Sequence, residues 1–124
     1  MQKQPLANAE LAVMDLLWNS SEPLTARQIR ENIYSDAAKA QHGTVQRLLS
    51  RLEEKGYVTR DQRLPVHLFA ATLTQQSYAC NQLESLAEKL TGGSFAPLIT
   101  TLVEQNRLPQ SEIEQLRKVL DTQQ

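Results

Sequence analysis

Apolar residues recur at helical spacing in three stretches of the first half of the chain, each bounded by residues that start or stop helices. In the first, Leu11, Met14, Leu17 and Trp18 hold one face, and Val13 and Leu16 widen it. Asn8 is placed to cap that helix and Asn19-Ser20-Ser21 to break it, which predicts a helix over 9–19. In the second, Thr25-Ala26-Arg27-Gln28 spells a T-x-x-Q capping box, with Leu24 at the staple position and Ile29 and Ile33 facing inward. That helix is expected to run to Tyr34 or Ala37. In the third, a helical wheel gathers Val45, Leu48, Leu49 and Leu52 in one arc and sets Gln46, Arg47, Ser50, Arg51 and Glu54 opposite. Gly56 supplies a left-handed residue to close it, and Lys55 suits the negative end of the helix dipole. Leu16, Leu17, Trp18, Ile29 and Ile33 join the apolar arc of the third helix to make a shared three-helix core.

After Gly56 the pattern changes period. Tyr57-Val58-Thr59-Arg60 and Val66-His67-Leu68-Phe69-Ala70 are rich in β-formers and flank the polar break Asp61-Gln62-Arg63-Leu64-Pro65, which reads as a two-stranded hairpin. Pro65 cannot donate to a ladder, so it belongs in the loop or on an edge. Helix, helix, helix, hairpin is the order of a winged helix-turn-helix. From about residue 75 the helical period returns: Tyr78, Leu83, Leu86, Ala87 and Leu90, then Leu98, Ile99, Leu102 and Val103, then Ile113, Leu116, Val119 and Leu120 behind a Ser111 cap. Gly92-Gly93 separates the first two of these helices. The fold class is therefore mainly α with a small β-hairpin, divided into a winged-helix domain over 1–73 and a helical region over 74–124.

The polar face of the third helix gives this fold a chemistry. Between Gly43 and Leu52 the only charged residues are Arg47 and Arg51, one turn apart, with Thr44, Gln46 and Ser50 around them. Arginine forks and glutamine amides reach base edges in a major groove, and Thr and Ser hydroxyls suit phosphate oxygens. Any solvated helix face carries such residues, so the neighbouring elements decide. Arg60 and Arg63 fall on or beside the hairpin, where cations meet phosphate or a minor groove. His42, just before the helix, reads as a phosphate contact or a plain loop histidine, and His67 on the hairpin reads similarly.

The net charge of −1 does not announce a nucleic-acid binder. The charge is unevenly placed, however. Residues 39–63 carry Lys39, Arg47, Arg51, Lys55, Arg60 and Arg63 against Glu53, Glu54 and Asp61, a local +3. Positive charge is needed at the contact and not averaged over the chain. The near-neutral total keeps open a second reading, a winged-helix protein–protein module without specific DNA binding. Enzymatic readings have nothing to rest on: the chain has no Gly-x-Ser-x-Gly, Walker or His-Glu-x-x-His pattern, and a β-lactamase-like hydrolase would lack its nucleophile motif. No metal or cofactor is expected. Cys80, the single cysteine, reads as an inert thiol or a redox switch. No segment approaches the roughly 18 apolar residues of a membrane span, and the N-terminus has no apolar signal core, so a cytoplasmic protein is expected.

Three motifs in order resemble the penicillinase-repressor family, the BlaI/MecI/CopY group of bacterial winged-helix repressors. They are Glu10-Leu11-Ala12-Val13-Met14-Asp15-Leu16-Leu17-Trp18, then Pro23-Leu24-Thr25-Ala26-Arg27-Gln28-Ile29, then Thr44-Val45 through Leu49-Ser50-Arg51-Leu52-Glu53-Glu54-Lys55-Gly56. The likeness continues through Leu90-Thr91-Gly92-Gly93-Ser94, Leu98, Leu108 and Ile113-Glu114-Gln115-Leu116-Arg117, which looks like that family's dimerisation region. The resemblance implies a homodimeric repressor that binds a palindromic operator in double-stranded DNA. His42, Gly43, Thr44, Gln46, Arg47, Ser50, Arg51, Arg60 and Arg63 are the candidate DNA contacts. Leu83, Leu86, Leu90, Leu98, Leu102, Leu116 and Leu120 are the candidate dimer contacts. Copper-responsive members carry a Cys-x-Cys cluster near the C-terminus, and residues 106–124 hold no cysteine, so soft-metal sensing lacks its ligands. In the antibiotic-responsive branch a membrane sensor leads to proteolysis at an Asn-Phe bond. The counterpart here is Ser94-Phe95, a candidate cleavage point for a sensor-linked protease that carries serine in place of asparagine.

Overall fold

Because each apolar arc needs a partner, the first three helices and the hairpin close around one core. A computed structural model describes residues 5–34 and 41–123. Its N-terminal part runs α1 (Asn8–Trp18), α2 (Ala26–Ile33), α3 (His42–Glu54), β1 (Val58–Asp61) and β2 (Leu68–Ala71). It continues as α4 (Gln75–Thr91), α5 (Ala96–Glu104) and α6 (Gln110–Thr122). This is the expected mainly helical fold with one antiparallel hairpin. Val13, Met14 and Leu17 from α1, Ile29 from α2, the four apolar residues of α3, and Tyr57, Val58 and Phe69 form the buried core. Leu16, Trp18 and Ile33 pack on its margin.

Local signals explain several boundaries. Thr25 Oγ1 accepts from Gln28 N–H at 3.1 Å, and Gln28 Oε1 accepts from Thr25 N–H at 2.9 Å, so the reciprocal capping box is present. Gly56 has φ 84°, the left-handed conformation expected after α3. Asp61, expected in the polar break, closes β1, and Val66 and His67 precede β2 instead of opening it; the helix starts differ too. Ala7, not Asn8, is the N-cap of α1, and Glu10 reaches back to accept its N–H at 2.9 Å. His42 is the first residue of α3 and so does not lie in a loop. Ser111 lies inside α6, whose N-cap is Pro109 at φ −60°. Tyr34 is the C-cap of α2, and both the suggested extension to Ala37 and the cation Lys39 fall outside the described residues.

The hairpin pairs Val58 with Ala71 through Asp61 with Leu68. Leu24 adds an isolated bridge: its N–H donates to the Phe69 carbonyl at 3.0 Å and its carbonyl accepts from Phe69 N–H at 2.7 Å. The residue expected to staple α2 therefore also ties the hairpin to the entrance of that helix. Opposite, Trp18 Nε1 donates to the Leu73 carbonyl at 3.0 Å. Tyr78 rests its ring 5.7 Å from those of both Trp18 and Tyr57 while its hydroxyl accepts from Leu6 N–H. Tyr57 is fully buried, and burial, with Tyr78 and Glu10 nearby, pushes its phenol up to about 12.

The chain resolves into two compact units, Met1–Gln82 and Leu83–Gln124, divided within α4. Tyr78 explains why the first turns of α4 go with the winged domain. In the second unit Ala87 is the one buried hydrophobic among the described residues. Leu83, Leu86 and Leu90 on α4, Ile99, Leu102 and Val103 on α5, and Leu116, Val119 and Leu120 on α6 are all exposed.

Candidate nucleic-acid interface

The buried arc of α3 fixes what its other side presents. With Val45, Leu48, Leu49 and Leu52 held in the core, Gln46, Arg47, Ser50 and Arg51 stand exposed on the opposite face. Thr44 is half-buried at its edge. Gly43 is exposed in the first turn, where a Cβ would meet nothing within 4 Å. No ion pair engages Arg47 or Arg51 among the described residues, so both guanidinium groups face solvent available to an anion.

A cleft of about 470 Å³ runs between α3 and the hairpin. His42, Gln46 and Ser50 line it from α3, Arg60, Pro65, Val66, His67 and Phe69 from the hairpin, and Ala26 from α2. Sequence reading treated His42 and His67 as isolated residues of different elements, and the fold brings both to one cleft. Arg30 Nη1 lies 3.3 Å from His42 Nδ1, and Gln46 Nε2 lies 3.2 Å from His42 Nε2. Arg30 had no signal in the sequence beyond its helix position. Leu64 and Val66, also missed, are exposed at the hairpin tip.

The two hairpin arginines differ. Arg60 is 23% exposed and its guanidinium is engaged inside the fold. It pairs with Glu53 at 3.2 Å, lies 3.4 Å from His67 Nδ1 and covers the Phe69 ring at 4.8 Å from the centroid. Those contacts brace the hairpin against the end of α3. Arg63 is exposed at the tip but forked onto Asp61, with Nη2 to Oδ2 at 2.7 Å and Nε to Oδ1 at 3.0 Å. Those hydrogen bonds hold the Asp61 carboxyl down at about 2, so it is ionised at neutral pH. An anionic Asp61 at the tip opposes the approach of phosphate and occupies the cation that would meet it. Asp61→Asn is expected to tighten binding to random-sequence DNA and steepen the salt dependence by about one unit. Titrations of both proteins at several salt concentrations check this, and equal slopes would refute it.

Ser94 and Phe95 are both exposed between α4 and α5. Gly92 and Gly93 precede them with φ 65° and 101°, a turn that side-chain-bearing residues rarely adopt. The Thr91 hydroxyl donates to the Ser94 carbonyl. Among the described residues no group of three or more His, Cys, Asp or Glu could hold a metal ion. No described helix is long and apolar enough to cross a membrane. Cys80 is exposed on α4.

Comparison with known proteins matches residues 6–122 to the family model described as penicillinase repressor. The methicillin resistance regulatory protein MecI of Staphylococcus aureus (strain N315) is 26% identical over 116 residues, covering 94% of this chain and 93% of that protein. The penicillinase repressor of Bacillus licheniformis is 25% identical over 122 residues, covering 98% and 94%. The transcriptional regulator BlaI of Mycobacterium tuberculosis (strain H37Rv) is 30% identical over 116 residues, covering 93% and 82%.

Proposed function

The chain belongs to the penicillinase repressor family and is a transcriptional repressor, not an enzyme; on that premise we propose that it works as a cytoplasmic homodimer occupying a palindromic operator in double-stranded DNA. The observation that carries this reading is the face of α3, where Arg47 and Arg51 stand exposed beside Gln46 and Ser50 with no acid among them. In this arrangement α3 enters the major groove and the hairpin flanks it as a wing. Arg47 and Gln46 read base edges, Thr44, Ser50 and Arg51 hold phosphate, and the exposed Gly43 lets the backbone approach closely. Arg63 meets phosphate at the wing tip by exchanging its Asp61 partner for it, and Arg60 adds positive charge at the base while holding the wing in place. Two-fold symmetry would present two such helices to half-sites about one helical turn apart.

The exposed apolar residues of α4, α5 and α6 support the homodimer. Seven leucines, Leu83, Leu86, Leu90, Leu98, Leu102, Leu116 and Leu120, are the proposed contacts, all exposed but the half-buried Leu98, and Ile99, Val103 and Val119 extend the same faces. Release from the operator would follow cleavage of the exposed Ser94-Phe95 bond by a sensor-linked protease, because the cut severs α5 and α6 from the DNA-contacting part. No cofactor is required.

The test is selection of binding sites from random DNA by the full chain. A two-fold symmetric consensus is expected, and Arg47→Ala should cost about 1–3 kcal/mol on it and relax preference at one position of each half-site. No enriched sequence would favour the protein–protein module, and an unchanged consensus would remove Arg47 from base reading.

A further inference from the structure

We propose that His42, oriented by Arg30, positions the Gln46 side chain and thereby sets which base Gln46 prefers. This rests on the reading of α3 as the helix that enters the major groove. His42 occupies the first position of α3, one turn before Gln46, and half-buried Arg30 approaches it from α2. The ring has a neighbour on both sides: Arg30 Nη1 is 3.3 Å from Nδ1 and Gln46 Nε2 is 3.2 Å from His42 Nε2.

The hydrogen-bonding capacities of the three groups fix the arrangement. A guanidinium can only donate, so Nδ1 must accept, and the ring then carries its single proton on Nε2. That N–H needs an acceptor. As placed, Gln46 turns its Nε2 end to the ring and would set donor against donor; a half-turn of the amide, which exchanges its oxygen and nitrogen ends with almost no change of shape, brings the carbonyl oxygen to that N–H. The amide NH2 then points away from His42 toward the groove. Arg30 acts at one remove, by deciding which ring nitrogen bears the proton.

An unrestrained glutamine reads adenine with both amide ends, accepting from N6 and donating to N7. With its carbonyl held by His42, Gln46 offers the groove donors alone. Guanine, with acceptors at both N7 and O6, satisfies them, whereas the N6 amino group of adenine meets no acceptor. His42 is thus a positioning residue for specificity, and guanine is the expected base opposite Gln46.

The experiment is binding-site selection with the full chain and its variants, with thermal melting to confirm folding. Gln46→Ala identifies the position that Gln46 reads. There the wild type should favour guanine over adenine by about five- to tenfold. His42→Ala should move that preference toward adenine without changing other positions. Arg30→Met, which leaves the ring free to take either tautomer, should blur it, and Arg30→Lys, which still donates to Nδ1, should keep guanine. If His42→Ala fails to fold, the two Arg30 variants decide the matter on their own. Adenine in the wild type, an unchanged preference in both His42→Ala and Arg30→Met, or no position that depends on Gln46 would overturn the inference while leaving the repressor reading intact. Failure of the wild type to select any sequence would overturn both.

Discussion

Replacing Lys55 with methionine is expected to destabilise the fold by about 3–5 kcal/mol, because it strands a buried carboxylate without its counter-charge. Glu10 is 1% exposed, and Lys55 Nζ donates to its two oxygens at 2.8 and 3.1 Å. The Ala7 N–H supplies a third hydrogen bond, so the same carboxylate caps α1 and joins it to the end of α3. Removing the other partner should cost less: in Glu10→Gln the Ala7 bond can persist, and Lys55, 24% exposed, can turn to water. A loss of about 1–2 kcal/mol is expected there.

Native protein and Lys55→Met should also differ in the sign of the pH dependence that Glu10 contributes. In the native protein burial pushes the Glu10 carboxyl upward, but the Lys55 hydrogen bond, the Ala7 N–H and the charges of Lys55 and Arg51 outweigh it and hold the group below its ordinary value. A folded value below the unfolded one contributes stability that is complete above the ordinary carboxylate range and is lost as pH falls through the folded value. Without Lys55, burial dominates and the folded value rises above the unfolded one. Lys55→Met should therefore recover stability, relative to the native chain, as pH falls through the carboxylate range. Comparing the variants at each pH removes the contribution of Asp61, which is common to both. Urea denaturation from pH 3 to pH 7 provides the measurement, and a Lys55→Met loss smaller than that of Glu10→Gln would refute the account.

Glu10 also marks where sequence reading reaches its limit. The Thr25–Gln28 box and the Gly56 stop were legible because each involves residues within one turn, and the arc of α3 because its period is fixed by helix geometry. The partner of Glu10 lies 45 residues away, and nothing in its neighbourhood marks the acid as buried. The same separation hid the cleft: His42, Arg60 and His67 meet only after the hairpin folds back on α3. Asn8 and Ser111 illustrate a different failure. Both are good capping residues by type, but the helices begin one or more residues earlier, at positions set by Glu10 reaching back to Ala7 and by the fixed φ of Pro109. Tyr78 carried a helical period and so looked like part of the C-terminal face, whereas its ring packs on Trp18 and Tyr57.

That placement of Tyr78 decides where the dimer can be tested. A chain ending at Thr74 would lose the ring against Trp18, so the informative truncation ends at Gln82, the limit of the first compact unit. Residues 1–82 are expected to fold, to be monomeric, and to bind a two-fold operator at least a hundredfold more weakly than the full chain. The removed part exposes Leu83, Leu86, Leu90, Leu102, Leu116 and Leu120 by between 41% and 66% each. About 1 kcal/mol per leucine remains to be gained by burying that surface, and two copies together reach the scale of the roughly 4–15 kcal/mol cost of association. Linking two half-site contacts multiplies affinity by about 10²–10⁴ through effective concentration alone, and a monomer forfeits that factor without losing a single DNA-contacting residue. Cleavage at Ser94-Phe95 is expected to act through the same loss, since it separates the apolar faces of α5 and α6 from α4 and leaves α3 and the wing untouched. Sedimentation and operator titration of the full chain and of 1–82 check both parts together. A truncated chain that sediments as a dimer and binds as tightly as the whole protein would show that dimerisation lies elsewhere.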